Sequence, residues 1–263
     1  MRTTGTLIDS YADYLYAKQR KLWRHFTSRP REAKLAEAAV FRVLQYCGVK
    51  PEVADDNGGP DFLCAQGQFM AEATAFTSQK VTGDTWLADE VAGTKAGQAF
   101  GLLTKQIATK ADQKHYQFST LRKPGVLAIA SAHVGASLVL DNYAAQCLLT
   151  SEPIGLESRE MTSVDFSQSA FLRQESDGGI VPYHVGLSAV LLIAITADTS
   201  YVCGALHPAA THPFKSRLLW QIPFVQLKDW PIEKHRVRCA WTMGDQPCPV
   251  PHRAICIEEQ SGE

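Results

Sequence analysis

An excess of charge of either sign is the first thing missing from this 263-residue chain: 26 Lys and Arg stand against 27 Asp and Glu, a formal net charge of −1. No global basic field draws it to nucleic acid, so any such surface has to be local. A paired cysteine motif is missing too. Cys47, Cys64, Cys147, Cys203, Cys239, Cys248 and Cys256 are odd in number, scattered and without a C-x-x-C, which excludes a disulfide framework and predicts free thiols in a reducing compartment. With no apolar signal core near residue 1, a cytoplasmic protein is expected. The most apolar run, "VGLSAVLLIAIT" at 185–196, falls short of the about 20 residues needed to span a bilayer, so no membrane association is expected and the run reads as a buried strand. There is no G-x-S-x-G, no P-loop and no dinucleotide fingerprint, which argues against serine hydrolases, P-loop nucleotide hydrolases and Rossmann oxidoreductases. Internal repeats and low-complexity linkers are also absent, so residues 1–263 are expected to form a single domain.

What is present is a patterned series of elements. Residues 8–26 read as a first helix, stopped by Ser28, Arg29 and Pro30. A second, 31–48, carries Leu35, Ala39, Val43 and Cys47 at every fourth position, with Gly48 as its left-handed cap. Three strands follow in "VKPEVA", "DFLCAQ" and "QFMAEATAF", the last two joined by a tight Gln66-Gly67 hairpin. Alternation along the third puts Gln68, Met70, Glu72, Thr74 and Phe76 on one face and Phe69, Ala71, Ala73 and Ala75 on the other. A helix over about 97–117 has an apolar stripe of Phe100, Leu103, Ile107 and Ala111 and a polar one of Gln106, Lys110, Gln113 and Gln117. "PGVLAIAS" (124–131) suits a strand covered on both faces. A helix over 136–150, a turn at Asp177-Gly178-Gly179 and a late hairpin of "LSAVLLIAIT" and "SYVCGALH" complete the readable part; 215–263 reads as an irregular tail. This order predicts an α/β (α+β) domain with a central mixed sheet flanked by helices.

The chemistry concentrates in "NGGPDFLCAQGQFMAEATAF", residues 57–76. Asp61 at the mouth of one strand and Glu72 within the next would converge across the hairpin. Two carboxylates there are an economical holder for a hard cation such as Mg²⁺, with Mn²⁺ as a substitute, which can activate water and neutralise charge at a phosphodiester. Glu37, projected from a helix packed on the same sheet, could add a third oxygen. The bland alternatives are that Asp61 is a turn residue after Gly-Gly-Pro and Glu72 a carboxylate on a strand edge. Near the N-terminus Lys18, Arg20, Lys21, Arg24, Arg29, Arg31 and Lys34 face only Glu32; the stretch reads either as a track for phosphates or as a solvated helix face.

A helix glutamate, Pro60-Asp61 at a strand start, and Glu72-Ala73-Thr74 eleven residues on, followed by a helix and a buried strand, resembles the PD-(D/E)XK nuclease superfamily. The resemblance covers about residues 31–131, with 185–210 extending the same sheet. It implies a restriction-endonuclease-like core and a Mg²⁺-dependent endonuclease acting on DNA, with Asp61 and Glu72 as metal ligands, Glu37 as auxiliary ligand and Lys18, Arg20, Lys21 and Arg24 on the DNA backbone. A homodimer is compatible with it. The chain departs from the pattern at Thr74, where the superfamily carries lysine, and a neutral hydroxyl cannot supply that charge. Lys110, beside Gln106 and Gln113 on the next helix, is the expected substitute, with Lys80 second. Without a substitute, the chain would be a catalytically inactive nuclease-fold module that binds DNA or protein. Convergence failing altogether would point to an unrelated hydrolase or binding protein. His235, Cys239, Cys248, His252 and Cys256 have ligand chemistry suited to zinc but not the paired spacing of structural sites, and His207 and His212, each before a proline, read as packing and turn residues.

Overall fold

A computed structural model describes residues 2–53, 59–77, 93–120, 122–133, 140–151, 164–196, 200–232, 237–249 and 255–256. Three helices come first: α1 (Arg2–Lys18), α2 (Arg20–Ser28) and α3 (Arg31–Tyr46). They lead into β1 (Glu52–Val53), β2 (Phe62–Cys64) and β3 (Phe69–Ala75), then α4 (Gly93–Thr120), β4 (Gly125–Ser131) and α5 (Asn142–Thr150). A small hairpin, β5 (Leu172–Gln174) and β6 (Ile180–Pro182), precedes β7 (Leu187–Ile195), β8 (Ser200–Leu206), β9 (Pro223–Leu227), β10 (Cys239–Met243), β11 (Gln246–Pro247) and β12 (Ile255–Cys256).

One mixed sheet dominates, in the order β1-β2-β3-β4-β7-β8-β9-β10-β11, with β12 beside β8. Its centre, β3-β4-β7, is parallel, and β4 and β7 are buried along their whole length. Continuous apolar strands are what a sheet covered on both faces requires. Alternation then sorts each strand between two cores: Val126, Ala128 and Ala130 pack with α1, α2 and α3, while Leu127 and Ile129 pack with α4 and α5. The expected α/β class, the central mixed sheet and its flanking helices are therefore present. Among the described residues no helix is long and apolar enough to cross a membrane.

Four expectations need correction. The helix read over 8–26 is two, broken at Gln19, whose backbone is extended (φ −161°, ψ 120°). No glycine or proline marks that break; it lets α2 fold back so that Phe26 packs edge-on to Tyr11, ring centres 5.0 Å apart. The β2–β3 connection is four residues rather than two, because Cys64 already pairs with Phe69, and Ala65, Gln66 and Gly67 all take positive φ to close it. The helix expected over 136–150 begins at Asn142, capped by Asp141, whose Oδ1 accepts the Ala144 N–H at 2.8 Å; residues 136–139 lie outside the described ones. The tail is not irregular throughout. β9 runs parallel to β8 and pairs with β10, and its Phe224 ring occupies the space over Gly204, where a Cβ would meet that ring at 2.5 Å. Prolines and isolated tryptophans hid these short strands, since their partners are distant in sequence.

Candidate active site

Strand register brings the two expected carboxylates together. Phe62 pairs with Ala71, so Asp61, one residue earlier, stands across from Glu72. The Ala73 N–H donates to Asp61 Oδ2 at 2.8 Å, fastening the start of β2 to the middle of β3. Met70 and Phe76 join the core under α4 and α5; by alternation Glu72 and Thr74 face the same way. Both are buried, at 5% and 7% exposure. α4 crosses this face and contributes a cation: Lys114 Nζ lies 2.8 Å from Glu72 Oε1. Lys110, one turn earlier and half-buried, is close enough for its charge to act on both Asp61 and Glu72. Further along, Gln106 Nε2 donates to the Ala75 carbonyl at 2.8 Å.

Glu37 reaches the cluster from the opposite face. It is buried; its Oε1 accepts from the Tyr11 hydroxyl at 2.9 Å, and its Oε2 pairs with the Arg29 guanidinium. Arg29 in turn contacts His25 Nε2. Burial holds the Glu37 carboxyl up at about 7; the negative charge of Asp61 adds to this, and Arg29 and Tyr11 oppose it. Glu72 is likewise raised to about 7, first by burial and then by Asp61, against the pull of Lys114 and Lys110. Asp61 is raised by burial, countered by the Ala73 N–H and the surrounding cations. Tyr11 is pushed far up by burial and by Glu37, so it remains a donor.

These directions set the pH response. An acid whose folded-state pKa is above its unfolded value weakens the fold as pH rises between the two. Stability is therefore expected to fall from about pH 4.5 to about pH 7, by up to roughly 3 kcal/mol for each glutamate, and then to level off. Chemical denaturation across that range tests this; Glu72→Gln should flatten the slope, and an unchanged slope would refute the assignment of that proton.

Among the described residues no three His, Cys, Asp or Glu side chains form a ready metal group. Asp61 and Glu72 nevertheless fit a hard cation: both are oxygen donors, and Glu72 Oε2 is buried with no partner among the described residues. Glu37 does not fit as a third ligand in this arrangement, because Tyr11 and Arg29 engage its two oxygens.

Other expected residues fall apart from the cluster. Gln113 is exposed; the next residue, Lys114, makes the contact, since one residue turns about 100° around the helix. Thr74 points to the right face, but its Oγ1 meets no donor or acceptor among the described residues. Lys80, His235 and His252 lie outside the described residues. Lys18, Arg20, Lys21 and Arg24 are exposed, with Lys18 over the Tyr14 ring and Arg20 over Tyr16 at 5.8 and 5.5 Å. His207 is buried, its Nε2 2.7 Å from the Tyr183 carbonyl and its Nδ1 accepting from Ala209 N–H, a packing role. Tyr11 and Lys114 were missed, and Arg29 was read only within the basic N-terminal stretch. For Lys114 a signal existed: Leu103, Ile107, Ala111, Lys114 and Phe118 continue one stripe at spacings of four, four, three and four, and a lysine in an apolar stripe needs a buried partner. Compared with known proteins, the chain matches no family model, and no curated protein or solved structure is significantly similar to it.

Proposed function

We propose that the chain is a Mg²⁺-dependent endonuclease, or other DNA-cleaving phosphodiesterase, with a restriction-endonuclease-like core formed by α3, β2, β3, α4 and β4. The observation that carries this reading is the Asp61–Glu72–Lys114 cluster. It joins the buried Glu72 carboxylate of β3 and the partly buried Asp61 carboxylate at the start of β2 to an amine 2.8 Å from Glu72, which answers the charge that Thr74 lacks. The amine stands on the helix after the strand rather than within it.

Each residue then has a task. Asp61 and Glu72 would hold the cation, which when bound acts as a Lewis acid toward the phosphoryl oxygens and makes water more acidic. Lys114 and Lys110 offset negative charge that accumulates on the phosphoryl group, and they do so from a partly buried position where the interaction is weakly screened. The Ala73 N–H keeps the Asp61 carboxylate aimed across the hairpin. Arg29 and Tyr11 hold Glu37 in place and tie α1 and the end of α2 to α3, so that Lys18, Arg20, Lys21 and Arg24 offer phosphate contacts on the adjoining surface.

One observation favours the alternative, an inactive nuclease-fold module that binds DNA. The Lys114–Glu72 and Arg29–Glu37 pairs already neutralise two of the three carboxylates without a cation. The deciding experiment is a titration of Mg²⁺ and Mn²⁺ with plasmid and single-stranded DNA, with chelator and Asp61→Ala as controls. Cleavage is expected only with divalent cation and intact Asp61. The cation should also raise the melting temperature more at pH 8 than at pH 6, since protons compete for Glu72 below about pH 7. DNA binding without cleavage at any cation concentration would establish the inactive module instead.

A further inference from the structure

The break at Gln19 sets two aromatic rings together at the surface. Tyr16 stands in the last turn of α1 and Trp23 in the first turn of α2, and their rings meet edge to face across the break, centres 5.6 Å apart at 78°. Tyr16 is 50% exposed and Trp23 half-buried. The core beneath them is filled by other residues of the same helices, Tyr11, Leu15 and Phe26.

Cations surround the two rings. The Arg20 guanidinium lies 5.5 Å from the Tyr16 ring centre, and its Nη2 donates to the Tyr16 hydroxyl at 3.4 Å. Lys18 Nζ lies 5.8 Å from the centre of the Tyr14 ring, and Lys21 and Arg24 are exposed on α2. Between residues 17 and 35 Glu32 is the one carboxylate, Asp9 and Asp13 belonging to earlier turns of α1. α2 also opens on Arg20 and Lys21, with no acidic residue in its first turn and no side-chain cap at Gln19. Its cations therefore add to the positive end of the helix dipole, where carboxylates are ordinarily favoured. The resulting field suits a polyanion.

Phosphates alone would explain the cations but not the rings. In a duplex each base face is covered by its neighbours, so an exposed tyrosine and tryptophan gain little there; on an unpaired strand the same rings stack on bases while nearby cations follow the backbone. An anionic membrane surface also attracts lysine, arginine and tryptophan, but it needs an apolar helix face to insert. That face of α1 and α2 is already occupied, since Leu7, Ile8 and Leu22 pack against the core that holds Tyr11, Leu15 and Phe26. We propose that the Tyr16–Trp23 corner, with Lys18, Arg20, Lys21 and Arg24 around it, is a binding surface for single-stranded DNA. The rings stack on bases and the cations contact phosphates. The surface is coupled to the candidate active site through Tyr11 and Arg29, which hold Glu37. As a statement about substrate, that the nuclease takes DNA with an unpaired strand, the proposal rests on the reading above; as a statement about binding it does not.

The test is fluorescence anisotropy of the full chain with a labelled oligodeoxythymidylate, the same strand annealed to its complement, and an oligouridylate of equal length, with phosphatidylglycerol vesicles assayed alongside. Chelator is present throughout, so that binding is read without cleavage. The single DNA strand is expected to bind about tenfold or more tighter than the duplex. Tyr16→Ala, at an exposed position, should weaken single-strand binding by about 5- to 100-fold and leave duplex binding unchanged. Trp23→Leu should act in the same direction and Trp23→Phe less so, with circular dichroism to confirm folding. Arg20→Gln should weaken binding to both and lower the salt slope on the single strand by about 0.7. Duplex bound as tightly as the single strand, or Tyr16→Ala binding like the parent, would overturn the stacking surface. Tighter binding of oligouridylate would overturn the choice of DNA, and tighter binding of the vesicles would assign the surface to membranes instead. Single-strand preference without cleavage once Mg²⁺ is added would refute the nuclease reading and leave this surface standing; Mg²⁺-dependent cleavage with no preference for the single strand would do the reverse.

Discussion

Under the proposed nuclease function, Asp61→Asn and Glu72→Gln are each expected to lower Mg²⁺-dependent DNA cleavage by about 10³- to 10⁴-fold, and Lys114→Met by about 10²- to 10³-fold, with Lys110→Met weaker than Lys114→Met. The order follows from position. Asp61 and Glu72 are the two carboxylates that the β2–β3 register sets across from one another, so either loss would remove half of the proposed cation's protein ligands. Lys114 touches Glu72 at 2.8 Å, whereas Lys110 acts on the pair only through its field. Single-turnover cleavage rates, with circular dichroism to confirm folding, provide the check. A Lys110 variant slower than the Lys114 variant would move the essential amine one turn back along α4. Unchanged rates in Glu72→Gln would end the assignment of this cluster as an active site.

Gly204→Val is expected to destabilise the fold by about 3 kcal/mol, visible as a fall of roughly 6–12 °C in melting temperature for a chain of this size. A Cβ at that position would lie 2.5 Å from Phe224 Cε1 and 2.8 Å from the Val190 carbonyl oxygen. The ring has little room to turn, being fully buried and in contact with Phe214 at a ring-centre distance of 5.6 Å. The carbonyl belongs to β7, at the buried centre of the sheet, so it cannot yield without disturbing the β4–β7–β8 ladder. Gly101 on α4 is the natural control: nothing lies within 4 Å of its Cβ position, and Gly101→Ala should stabilise by up to about 1 kcal/mol. If Gly204→Val melted like the parent, β9 would not pack on β8 as described, and the C-terminal half of the sheet would have to be redrawn.

The carboxylate pair was legible because its placement depends on local rules. Gly-Gly-Pro before Asp61 marks a strand entry, and alternation alone sends Glu72 and Thr74 to one face of β3. The same rule, applied to the unbroken apolar runs at 124–131 and 187–195, predicts strands covered on both sides, which is how β4 and β7 sit. The lysine in direct contact with Glu72 is Lys114, one turn beyond the Lys110 singled out in the sequence. The polar stripe of α4 drew attention to Lys110 and Gln113, whereas the face that turns toward the sheet is the apolar one, and Lys114 interrupts it. Glu37 was correctly brought near the site, but its partners were not visible: Tyr11 is 26 residues away and Arg29 eight, and they reach it only because α1 and α2 fold back at Gln19.

What the sequence determined by itself was therefore the central elements from α3 to β8, the inward face of each central strand and the meeting of Asp61 with Glu72, since hydrophobic period and strand alternation act between residues close along the chain. Tertiary structure decided the rest. It brought Lys114 into contact with Glu72, turned Glu37 into an anchor for Arg29 and Tyr11, and fastened Gln106 to the end of β3. Those outcomes depend on how α4 and the α1–α2 pair land on the sheet, which is fixed by packing among distant side chains and by the burial that makes each buried charge find a partner.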